Sequence, residues 1–435
     1  MHEPPYPHTV ALAISRIRAR EGSLSAFIST RLDDAEREAA TPRSGPLAGL
    51  PYALKDLWDT AGITTTAASA RFRDRVPTVS APVHQVFEQA GAVLVGKTNA
   101  SDLGLAIESQ SYVGGITKNP HDLRRTAGGS SGGAAAAVAD RMIAFDWGSD
   151  FGGSIRLPAA YCGIYGLRLS TETWPMEGHF PVPPDPLRYM NGQGPLTRDL
   201  GLMRQLLSVT APRLRTGRPR PFSLAGATLY TPTGKAAGRW PTFAADVRPA
   251  LLNAGLRVRD DHGLLPHGQA GFLTKGFYTV HFQEFLELDE FSLWSGLAAV
   301  LSSLLARGRF GDLRFHPRTA EMLLMLAAGR ALVFRDRART VARAQAYRDQ
   351  VSALWDRGEL IVLPTMVHPA PRHGRSMLEP RLPDCVMPGN LVDATGLAVP
   401  FGRFPDGLPR SLQLWGPPGS EMILLDVAER LTPRL

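Results

Sequence analysis

Apolar and polar positions repeat along this chain with two periods, and the elements they predict follow one another as helix and strand. Residues 8–40 carry apolar side chains at helical spacing, first in HTVALAISRIRAR and then in the amphipathic LDDAEREAA. APVHQVFEQAGAVLVGKTN predicts a helix over 83–90, a stop at Gly91 and a buried strand over 92–95. An alanine-rich helix, AAAAVADRM, and a short apolar strand at 143–145 follow. This alternation favours an α/β sheet over an all-α or all-β core.

Turn-rich segments separate these elements. PLAGLPYALKD predicts a short strand or turn, NPHDLRRTAGGSSGG a turn without a strand, and residues 148–154 a glycine loop. Proline-rich loops are expected at 174–186 and 211–222, and the pattern from about 243 to 360 is mostly helical. ELIVLPT, LAVPFGRF and SLQLWG predict strands near the end, before a final helix with Ser420 as its N-cap. No internal repeat is apparent.

Composition narrows the class of protein. Apolar residues make up 44% of the 435 residues and charged residues 20%, which is ordinary for a globular chain with a large core. Nothing approaches the roughly 18 unbroken apolar residues of a membrane span. The start, MHEPPYPHTVALAISRIRAR, lacks the basic-then-apolar order of a secretory signal. Two cysteines, Cys162 and Cys385, imply neither a disulfide framework nor a cysteine metal site. We therefore expect a cytoplasmic protein without a metal or another cofactor.

The distribution of positive charge along the chain carries more information than the net charge of +8. Many arginines are spaced through a predicted helix, as in Arg330, Arg335, Arg337, Arg339, Arg343 and Arg348. Such a run is more often a solvated face than a nucleic-acid site. Only five of the 48 basic residues are lysines: Lys55, Lys97, Lys118, Lys235 and Lys275. Because a lysine, unlike an arginine, can lose its proton near neutral pH, these few lysines are candidates for that task.

The glycine-rich segments admit three interpretations that do not involve a lysine base. A flexible linker at GGSSGG is disfavoured because an alanine helix and a strand follow at once. GAVLVGKT at 91–98 matches a P-loop letter by letter, but its middle residues must form a strand and TNASD follows Lys97. Ser131 in GSSGG would be the nucleophile elbow of a Ser-His-Asp esterase. That alternative stays minor, because we predict no strand before the turn and interpret His368 and His373 as loop residues.

A fourth interpretation joins three stretches: GLPYALKD, TAGGSSGG and GSDFGGSIRLPAA. The GGS at 152–154 leaves consecutive backbone amides unobstructed by side chains. Amides in such a turn can cradle the oxyanion of a tetrahedral intermediate, which is usually the largest catalytic contribution in acyl transfer. A serine at the end of the turn places its hydroxyl beside this oxyanion hole. Ser154 is therefore the candidate nucleophile.

Lys55 is the candidate base for this nucleophile. It lies in the apolar PYALKDLW, and burial lowers the pKa of a lysine from about 10.4 toward about 7–8. The alternative is a surface lysine paired with a carboxylate such as Asp56. Ser130 or Ser131 would bridge lysine and nucleophile, since a hydroxyl both donates and accepts a hydrogen bond.

Through these residues the chain resembles the amidase signature family of serine hydrolases. TAGGSSGGAAAAVA and GSDFGGSIRLPAAYCGIYGL are close to that family's diagnostic stretch, and GLPYALKD, GAVLVGKTN and PGNLVDATGLAVPFGRFPDGLPRSLQLWG also fit. The resemblance covers nearly the whole length and is weakest from about 223 to 355. It implies one α/β domain over 1–435, with a central mixed β-sheet surrounded by α-helices. The signature core would span about 45–210, a mostly helical substrate-side region 223–360, and a C-terminal return to the core 361–435.

The resemblance also implies a Ser-cisSer-Lys triad. Ser154 would be the nucleophile, Lys55 the base, and Ser130, which would follow a cis peptide bond, the proton relay. The further residues that match the family are the oxyanion-hole amides of Phe151, Gly152, Gly153 and Ser154, and the loop-bracing Ser131, Asp150 and Arg156. Two departures are Ala127, where the family usually has proline, and Arg168-Leu169-Ser170 in place of KPT.

The implied activity is hydrolysis of an amide carbon–nitrogen bond of a small molecule through a Ser154 acyl-enzyme, a route that esters and carbamates could share. The main alternative is the glutaminase subunit of a tRNA-dependent amidotransferase, which requires partner subunits and an ammonia path. A binding protein on an inactive scaffold is disfavoured because all three triad positions are filled. We expect pocket residues from 103–112, 171–195 and 265–300. No cofactor, metal, nucleic acid or membrane is expected, and a homodimer stays open.

Overall fold

The computed structural model describes residues 5–232, 234–260, 267–285, 316–376 and 382–431. The helices within these ranges are α1 (Val10–Leu24), α2 (Leu32–Ala39), α3 (Pro82–Gln89), α4 (Gly132–Ala139), α5 (Arg156–Cys162), α6 (Asp185–Arg188), α7 (Leu200–Leu214), α8 (Phe243–Asn253), α9 (His267–Phe285), α10 (Pro317–Leu332), α11 (Arg337–Asp356), α12 (Met387–Leu391) and α13 (Glu421–Leu431). Within the same part of the chain, no helix has the length and apolar composition that a membrane crossing requires.

The strands are β1 (Phe27–Thr30), β2 (Pro51–Lys55), β3 (Val93–Thr98), β4 (Gln110–Ser111), β5 (Gly115–Ile116), β6 (Lys118–Asn119), β7 (Asp122–Thr126), β8 (Phe145–Asp150), β9 (Tyr165–Arg168), β10 (Gly192–Thr197), β11 (Gly226–Leu229), β12 (Val258–Asp260), β13 (Glu359–Pro364), β14 (Thr395–Arg403) and β15 (Pro409–Gly416). Eleven of them form one sheet in the order β1-β3-β2-β8-β10-β9-β14-β15-β13-β11-β12. The sheet is mixed, because β2 runs parallel to β3 and β8 whereas β10 and β14 run antiparallel to their neighbours. The predicted α/β domain with a central mixed sheet is confirmed.

Helices cover both faces of this sheet. One face packs against α3, α7, α8 and α13, through side chains such as Phe87, Leu206 and Leu425. The other face packs against α1, α4 and α5, where the four successive alanines at 134–137 of α4 are fully buried. Because alternate strand residues point to opposite faces, Tyr52 and Leu54 of β2 join the first cluster and Ala53 joins the second. Lys55, two residues after Ala53, therefore belongs to the face that carries α4 and α5.

Several predicted elements differ from those observed. The turn assigned to NPHDLRRTAGGSSGG is wrong in one part, because β7 covers Asp122–Thr126 and pairs with β6 in a two-stranded ribbon. The strand expected at 143–145 begins at Phe145 and continues to Asp150, so the glycine loop starts later. The loop expected from 211 begins after Leu214, where α7 ends. The short strands β1, β11 and β12 carry too few residues for a period of two to show.

Other predictions hold. GAVLVGKT contains β3, so its middle residues are a strand and not a phosphate-binding loop. GGSSGG runs into α4 at Gly132 and is not a linker. His368 and His373 lie in loops, and the final helix begins at Glu421, directly after Ser420. Of the arginine run, Arg335, Arg337, Arg339 and Arg343 are exposed.

Candidate active site

The site forms where the parallel strands β2, β3 and β8 end together. Lys55 is the last residue of β2, it pairs with Thr98 at the end of β3, and Leu54 lies opposite Trp147 of β8. Ser149 and Asp150 close β8 at the same edge. The carboxyl edge of parallel strands is where α/β sheets place their ligands, because the chain leaves the sheet there in loops. All five residues of β2 are buried, so the Lys55 side chain enters this edge from inside the protein.

Lys55 reaches three oxygens. Its Nζ lies 2.7 Å from Ser130 Oγ, 2.9 Å from Ser149 Oγ and 3.2 Å from the Ser149 carbonyl. Burial lowers the pKa of Lys55 from 10.5 to about 7, although the charges of Asp150 and Asp146 act in the opposite direction. A lysine with this pKa is neutral in about half of the molecules at pH 7, and can then accept a proton.

The alternative partner of Lys55, Asp56, is occupied elsewhere. Its carboxylate accepts the backbone amide of Thr66 at 2.9 Å and lies 3.6 Å from Nζ of Lys97, with both charged side chains fully buried. Lys97 also donates to the Trp58 carbonyl at 2.6 Å and to Thr65 Oγ1 at 2.8 Å. The two buried lysines therefore have different partners. The ammonium of Lys97 lies beside a carboxylate, whereas Nζ of Lys55 lies beside two serine hydroxyls.

The TAGGSSGG segment brings Ser130 to Lys55. The Gly129–Ser130 peptide bond is cis, as the family resemblance implied. A side chain at Gly129 would place its Cβ 2.7 Å from the Ala106 carbonyl oxygen, so the loop passes its neighbour at a distance that only glycine permits. Ser131 is fully buried; its amide donates to the Ser154 carbonyl at 3.1 Å and its hydroxyl to the Ser149 carbonyl at 3.3 Å. Ser131 thus links the two serine loops.

Ser154 lies in the turn between β8 and α5, and Asp150 holds this turn. The Asp150 carboxylate accepts the backbone amides of Gly153 at 2.7 Å and Ile155 at 3.1 Å. Gly153 has φ +103°, and a Cβ there would lie 2.3 Å from Cγ2 of Val386, so both its conformation and its surroundings require glycine. Because the Gly153 amide already donates to Asp150, we leave it out of the proposed oxyanion hole. The amides of Phe151, Gly152 and Ser154 remain the proposed donors.

A buried network supports the turn from behind. Arg156 donates from Nε and Nη2 to Asp150, both at 3.0 Å, from Nη2 to Asn390 Oδ1 at 2.7 Å and from Nη1 to Gln413 Oε1 at 3.0 Å. Asn390 also donates to the Asp150 carboxylate at 2.8 Å. Burial alone would raise the pKa of Asp150, but the Arg156 guanidinium outweighs this and holds the pKa well below its usual range. Asp150 therefore stays an anion that braces the loop.

Residues 168–170, where the sequence departs from the family's KPT, form a second buried hydrogen-bond network. Arg168 is fully buried and donates from Nη2 to Asp393 at 2.8 Å, and Ser170 Oγ donates to the same carboxylate at 2.7 Å. The backbone amide of Thr171 adds a third hydrogen bond at 3.1 Å. Residues 168–171 are thus tied to the segment that follows α12.

Ser154 opens on a cavity of about 300 Å³ whose lining is almost entirely apolar. Predicted pocket segments contribute residues 104–107 and, from α9, Phe272, Lys275, Tyr278 and Thr279; residues 286–300 lie outside the described ranges. The remaining lining residues were not predicted and comprise Phe151, Gly152, Met322, Met325, Leu326, Gly329, Phe334, Ser376 and Met387. The segment 171–195 does not line this cavity. Twelve of its 25 residues line a separate cleft of about 880 Å³, which α11 and residues near Asp393 complete.

Sequence reasoning missed several residues of the site. Asn390 lies in PGNLVDATG, a stretch that matched the family pattern, but its contact with Asp150 spans 240 residues and leaves no local signal. Ser149 was overlooked although it precedes Asp150 in the glycine motif, and its hydroxyl is a direct partner of Lys55. Asp146, which accepts the Lys55 amide at 3.1 Å, alternates with the buried Phe145 and Trp147. That alternation was the available clue that Asp146 points toward α4.

A family model and curated proteins match most of this chain. A family model described as Amidase matches residues 8–254 and 309–425. The chain is 31% identical over 456 residues to a glutamyl-tRNA(Gln) amidotransferase subunit of Synechococcus sp. (strain RCC307), covering 96% of this chain and 91% of that protein.

Two solved structures are similar over most of their length. The structure of 6-aminohexanoate cyclic dimer hydrolase complexed with substrate superposes with a TM-score of 0.74 at 26% identity, over 97% of this chain and 92% of that chain. A chain from a vestigial protein complex that reveals the evolutionary origins of an s-triazine catabolic enzyme gives a TM-score of 0.77 at 25% identity, over 97% and 93%. With the family model matched over most of its length, this chain belongs to the amidase family of enzymes, hydrolases that act on amide carbon–nitrogen bonds.

Proposed function

We propose that this protein hydrolyses an amide with an apolar acyl group, through an acyl-enzyme on Ser154, with Lys55 as base and Ser130 as proton relay. The observation that carries the proposal is the 2.7 Å hydrogen bond between Lys55 Nζ and Ser130 Oγ, made by a buried lysine whose pKa lies at about 7. A lysine that held its proton at pH 7 could not begin the reaction.

The proposed reaction has two stages. Neutral Lys55 takes a proton through Ser130 while Ser154 Oγ forms a bond to the carbonyl carbon, and the amides of Phe151, Gly152 and Ser154 stabilise the oxyanion. Ser130 then returns the proton to the leaving nitrogen as the carbon–nitrogen bond breaks. Water hydrolyses the acyl-enzyme in the second stage. Asp150 and Arg156 contribute by keeping the Ser154 turn in place.

The lining of the Ser154 cavity supports an apolar acyl group. Its walls include Phe151, Leu326 and Met387, and Ser154 lines it as well. Lys275 lines it too, but its ammonium lies 2.6 Å from Asp384, so the charges of the pair balance each other. Apolar substrate surface that enters this cavity leaves water, which favours binding by about 25 cal/mol per Å².

A second candidate is the glutaminase subunit of a tRNA-dependent amidotransferase. The curated relatives support it more strongly than they support a free-standing amidase, since proteins named as a subunit of glutamyl-tRNA(Gln) amidotransferase match 96% of this chain at up to 31% identity. The cavity lining favours the free-standing enzyme, because glutamine carries an ammonium and a carboxylate that an apolar wall does not solvate. If the second candidate is right, partner subunits and a tRNA are required. Our expectation of no nucleic-acid partner stays a prediction.

A hydrolysis screen on the purified chain separates the two candidates. The panel contains amides with apolar acyl groups, the matching esters, and glutamine, each with Ser154→Ala as the blank. We expect Ser154-dependent release from apolar amides and little from glutamine. Turnover of glutamine alone, or only with added amidotransferase partners, would favour the second candidate. Equal turnover by Ser154→Ala would refute the mechanism for both candidates.

A further inference from the structure

Helix α10 forms one wall of the Ser154 cavity, and a buried carboxylate is bonded to the start of this helix. Four residues of α10 line the cavity: Met322, Met325, Leu326 and Gly329. Asp102 Oδ2 accepts the backbone amide of His316, the N-cap residue of α10, at 2.7 Å. The Asp102 carbonyl accepts the hydroxyl of Thr319 at 3.1 Å. Asp102 therefore holds the first turn of α10 through both its side chain and its backbone.

The loop that carries Asp102 also contacts the proposed relay serine. The backbone amide of Ser101 donates to the Ser130 carbonyl at 3.3 Å. A Cβ on Gly104 would lie 3.7 Å from Ser130 Oγ, so the loop passes close to the relay hydroxyl. The chain then lines the apolar cavity over residues 104–107. The hydrogen bonds of Asp102 thus attach the wall helix to a loop that is in direct contact with the triad.

Apolar side chains surround this attachment. Leu323 of α10 belongs to the same buried cluster as Leu57 and Leu103. Asp102 is 1% exposed, and burial raises the pKa of its carboxyl to about 6, although the hydrogen bond from His316 acts in the opposite direction. A leucine at this position would avoid the cost of burying a carboxylate, but it could not accept the amide at the start of α10.

The other end of α10 is held by helix packing. A Cβ on Gly329 would lie 3.4 Å from Cγ2 of Thr279, so α9 and the last turns of α10 are in close contact. The first turn has its buried hydrogen bonds to Asp102 instead. Loss of these bonds should therefore displace the N-terminal half of α10, where Met322 lies, without unfolding the helix.

We propose that Asp102 is a positioning residue for the acyl group: by holding the first turn of α10 on the loop beside Ser130, it sets the place of the apolar wall relative to the reacting atoms. The inference rests on the proposed function, because it requires the acyl group to enter the Ser154 cavity. Asp102 itself is not among the residues that line this cavity. A long acyl chain that extends along the wall should depend on Asp102, whereas an acetyl group should not.

The test compares octanamide with acetamide in the wild-type enzyme and in Asp102→Ala. Because the variant leaves a buried amide at the start of α10 without its acceptor, we expect the octanamide-to-acetamide ratio of kcat/KM to fall about tenfold. The fall should come from a higher KM for octanamide, while kcat for acetamide stays within about twofold. A role in folding alone would lower the amount of active enzyme and reduce both rates equally. An unchanged ratio would overturn the inference.

Three further variants separate positioning from stability. Asp102→Asn keeps an oxygen that can accept the His316 amide, and should retain the ratio to within about threefold. Thr319→Val removes only the hydroxyl that donates to the Asp102 carbonyl; it should lower the ratio about fivefold, and it carries the test if Asp102→Ala does not fold. Asp199→Ala is the matched control, since Asp199 accepts the Leu202 amide at 2.6 Å at the start of α7, and it should leave the ratio unchanged.

The results that contradict the inference are specific. A fall in Asp199→Ala as large as in Asp102→Ala would show a general loss of helix anchoring, and an equal fall in Asp102→Asn would contradict the role of the hydrogen bond. An unchanged ratio in Thr319→Val would also count against it.

A second substitution in the wall tests the coupling directly. Leu326→Ala removes part of the wall and should lower the ratio in the wild-type background. It should lower the ratio by a smaller factor in Asp102→Ala, where the wall is already displaced. Equal factors in the two backgrounds would contradict the coupling. Ser154-dependent turnover with a ratio that Asp102→Ala does not change would overturn this inference alone. Absence of Ser154-dependent turnover on both amides would overturn the proposed function, and this inference with it.

Discussion

The pH dependence of the reaction should follow the protonation of Lys55. With a pKa at about 7, the neutral fraction of this lysine rises from about 9% at pH 6 to about 91% at pH 8. A lysine at 10.5 would be neutral in only about 0.03% of molecules at pH 7, so burial raises the supply of base about a thousandfold. Acylation should therefore speed up about tenfold between pH 6 and pH 8, and then level off.

Removing the charge of a neighbouring carboxylate should shift the pH at which the rate rises. Asp146 accepts the Lys55 amide at 3.1 Å, and as an anion it raises the pKa of Lys55. Burial raises the pKa of Asp146 itself to about 7, so this charge acts mainly at neutral and higher pH. Asp146→Asn removes that charge and retains an oxygen for the amide, while Thr98, whose hydroxyl lies 2.9 Å from the carboxylate, can either donate or accept. The rise in rate should move to lower pH. Asp33→Asn removes the same charge from a side chain that is 84% exposed, and should leave the profile in place.

The assay is kcat/KM for a primary amide from pH 5.5 to pH 9, because this constant reports ionisations of the free enzyme. The matching methyl ester serves as a second substrate with the same acyl group. A rate that stays flat across pH 7 would refute Lys55 as a base of lowered pKa. A shift to higher pH in Asp146→Asn would contradict the electrostatic account even if the wild-type profile agreed.

Two further predictions concern the serine loops. Ser130→Ala should lose at least about tenfold more kcat/KM on the amide than on the ester, because proton delivery matters most for a poor leaving group; equal losses in the paired assays would argue against a relay. Gly153→Ala should lower the free energy of unfolding by about 2–4 kcal/mol, since its Cβ would lie 2.3 Å from Val386 and its φ is +103°. Gly407→Ala is the matched control in urea unfolding: its φ is +80° but its Cβ would meet nothing within 4 Å, so it should cost only the backbone part. Equal losses in the two glycine variants would contradict the steric reasoning.

Local sequence was enough to select the residues that we propose for this site. Lys55, Ser130 and Ser154 each lie in a glycine-rich or apolar motif, so their environment could be inferred from adjacent letters. The supporting contacts were out of reach, because Arg156 meets Gln413 across 257 residues and Arg168 meets Asp393 across 225. Nothing in the periodicity of one sequence specifies which strands become neighbours in a mixed sheet.

The same limit explains the errors in the fold and the pocket. β7 was missed because DLRRT has no apolar alternation; it is held by its partner β6 and by a bridge from Arg125 to Arg372. Helix α10 supplies Met322 and Leu326 to the cavity. Its apolar face predicts that these side chains are buried, but not which part of the protein they pack against. The direction a helix presents to its neighbours depends on packing across the chain.

The long contacts around Arg156 and Arg168 also set the order in which this enzyme can be completed during synthesis. Asn390, Asp393 and Gln413 emerge from the ribosome well after both arginines, and Asn390 comes 234 residues after the Arg156 guanidinium that it contacts. Until then both buried arginines lack acceptors from the C-terminal segment, and the Ser154 turn lacks its outer support. Domains form from the N-terminus as the chain grows. Ser154, the proposed nucleophile, is therefore made early, but the contacts that support its turn are completed only when the segment from Asn390 to Gln413 has been made.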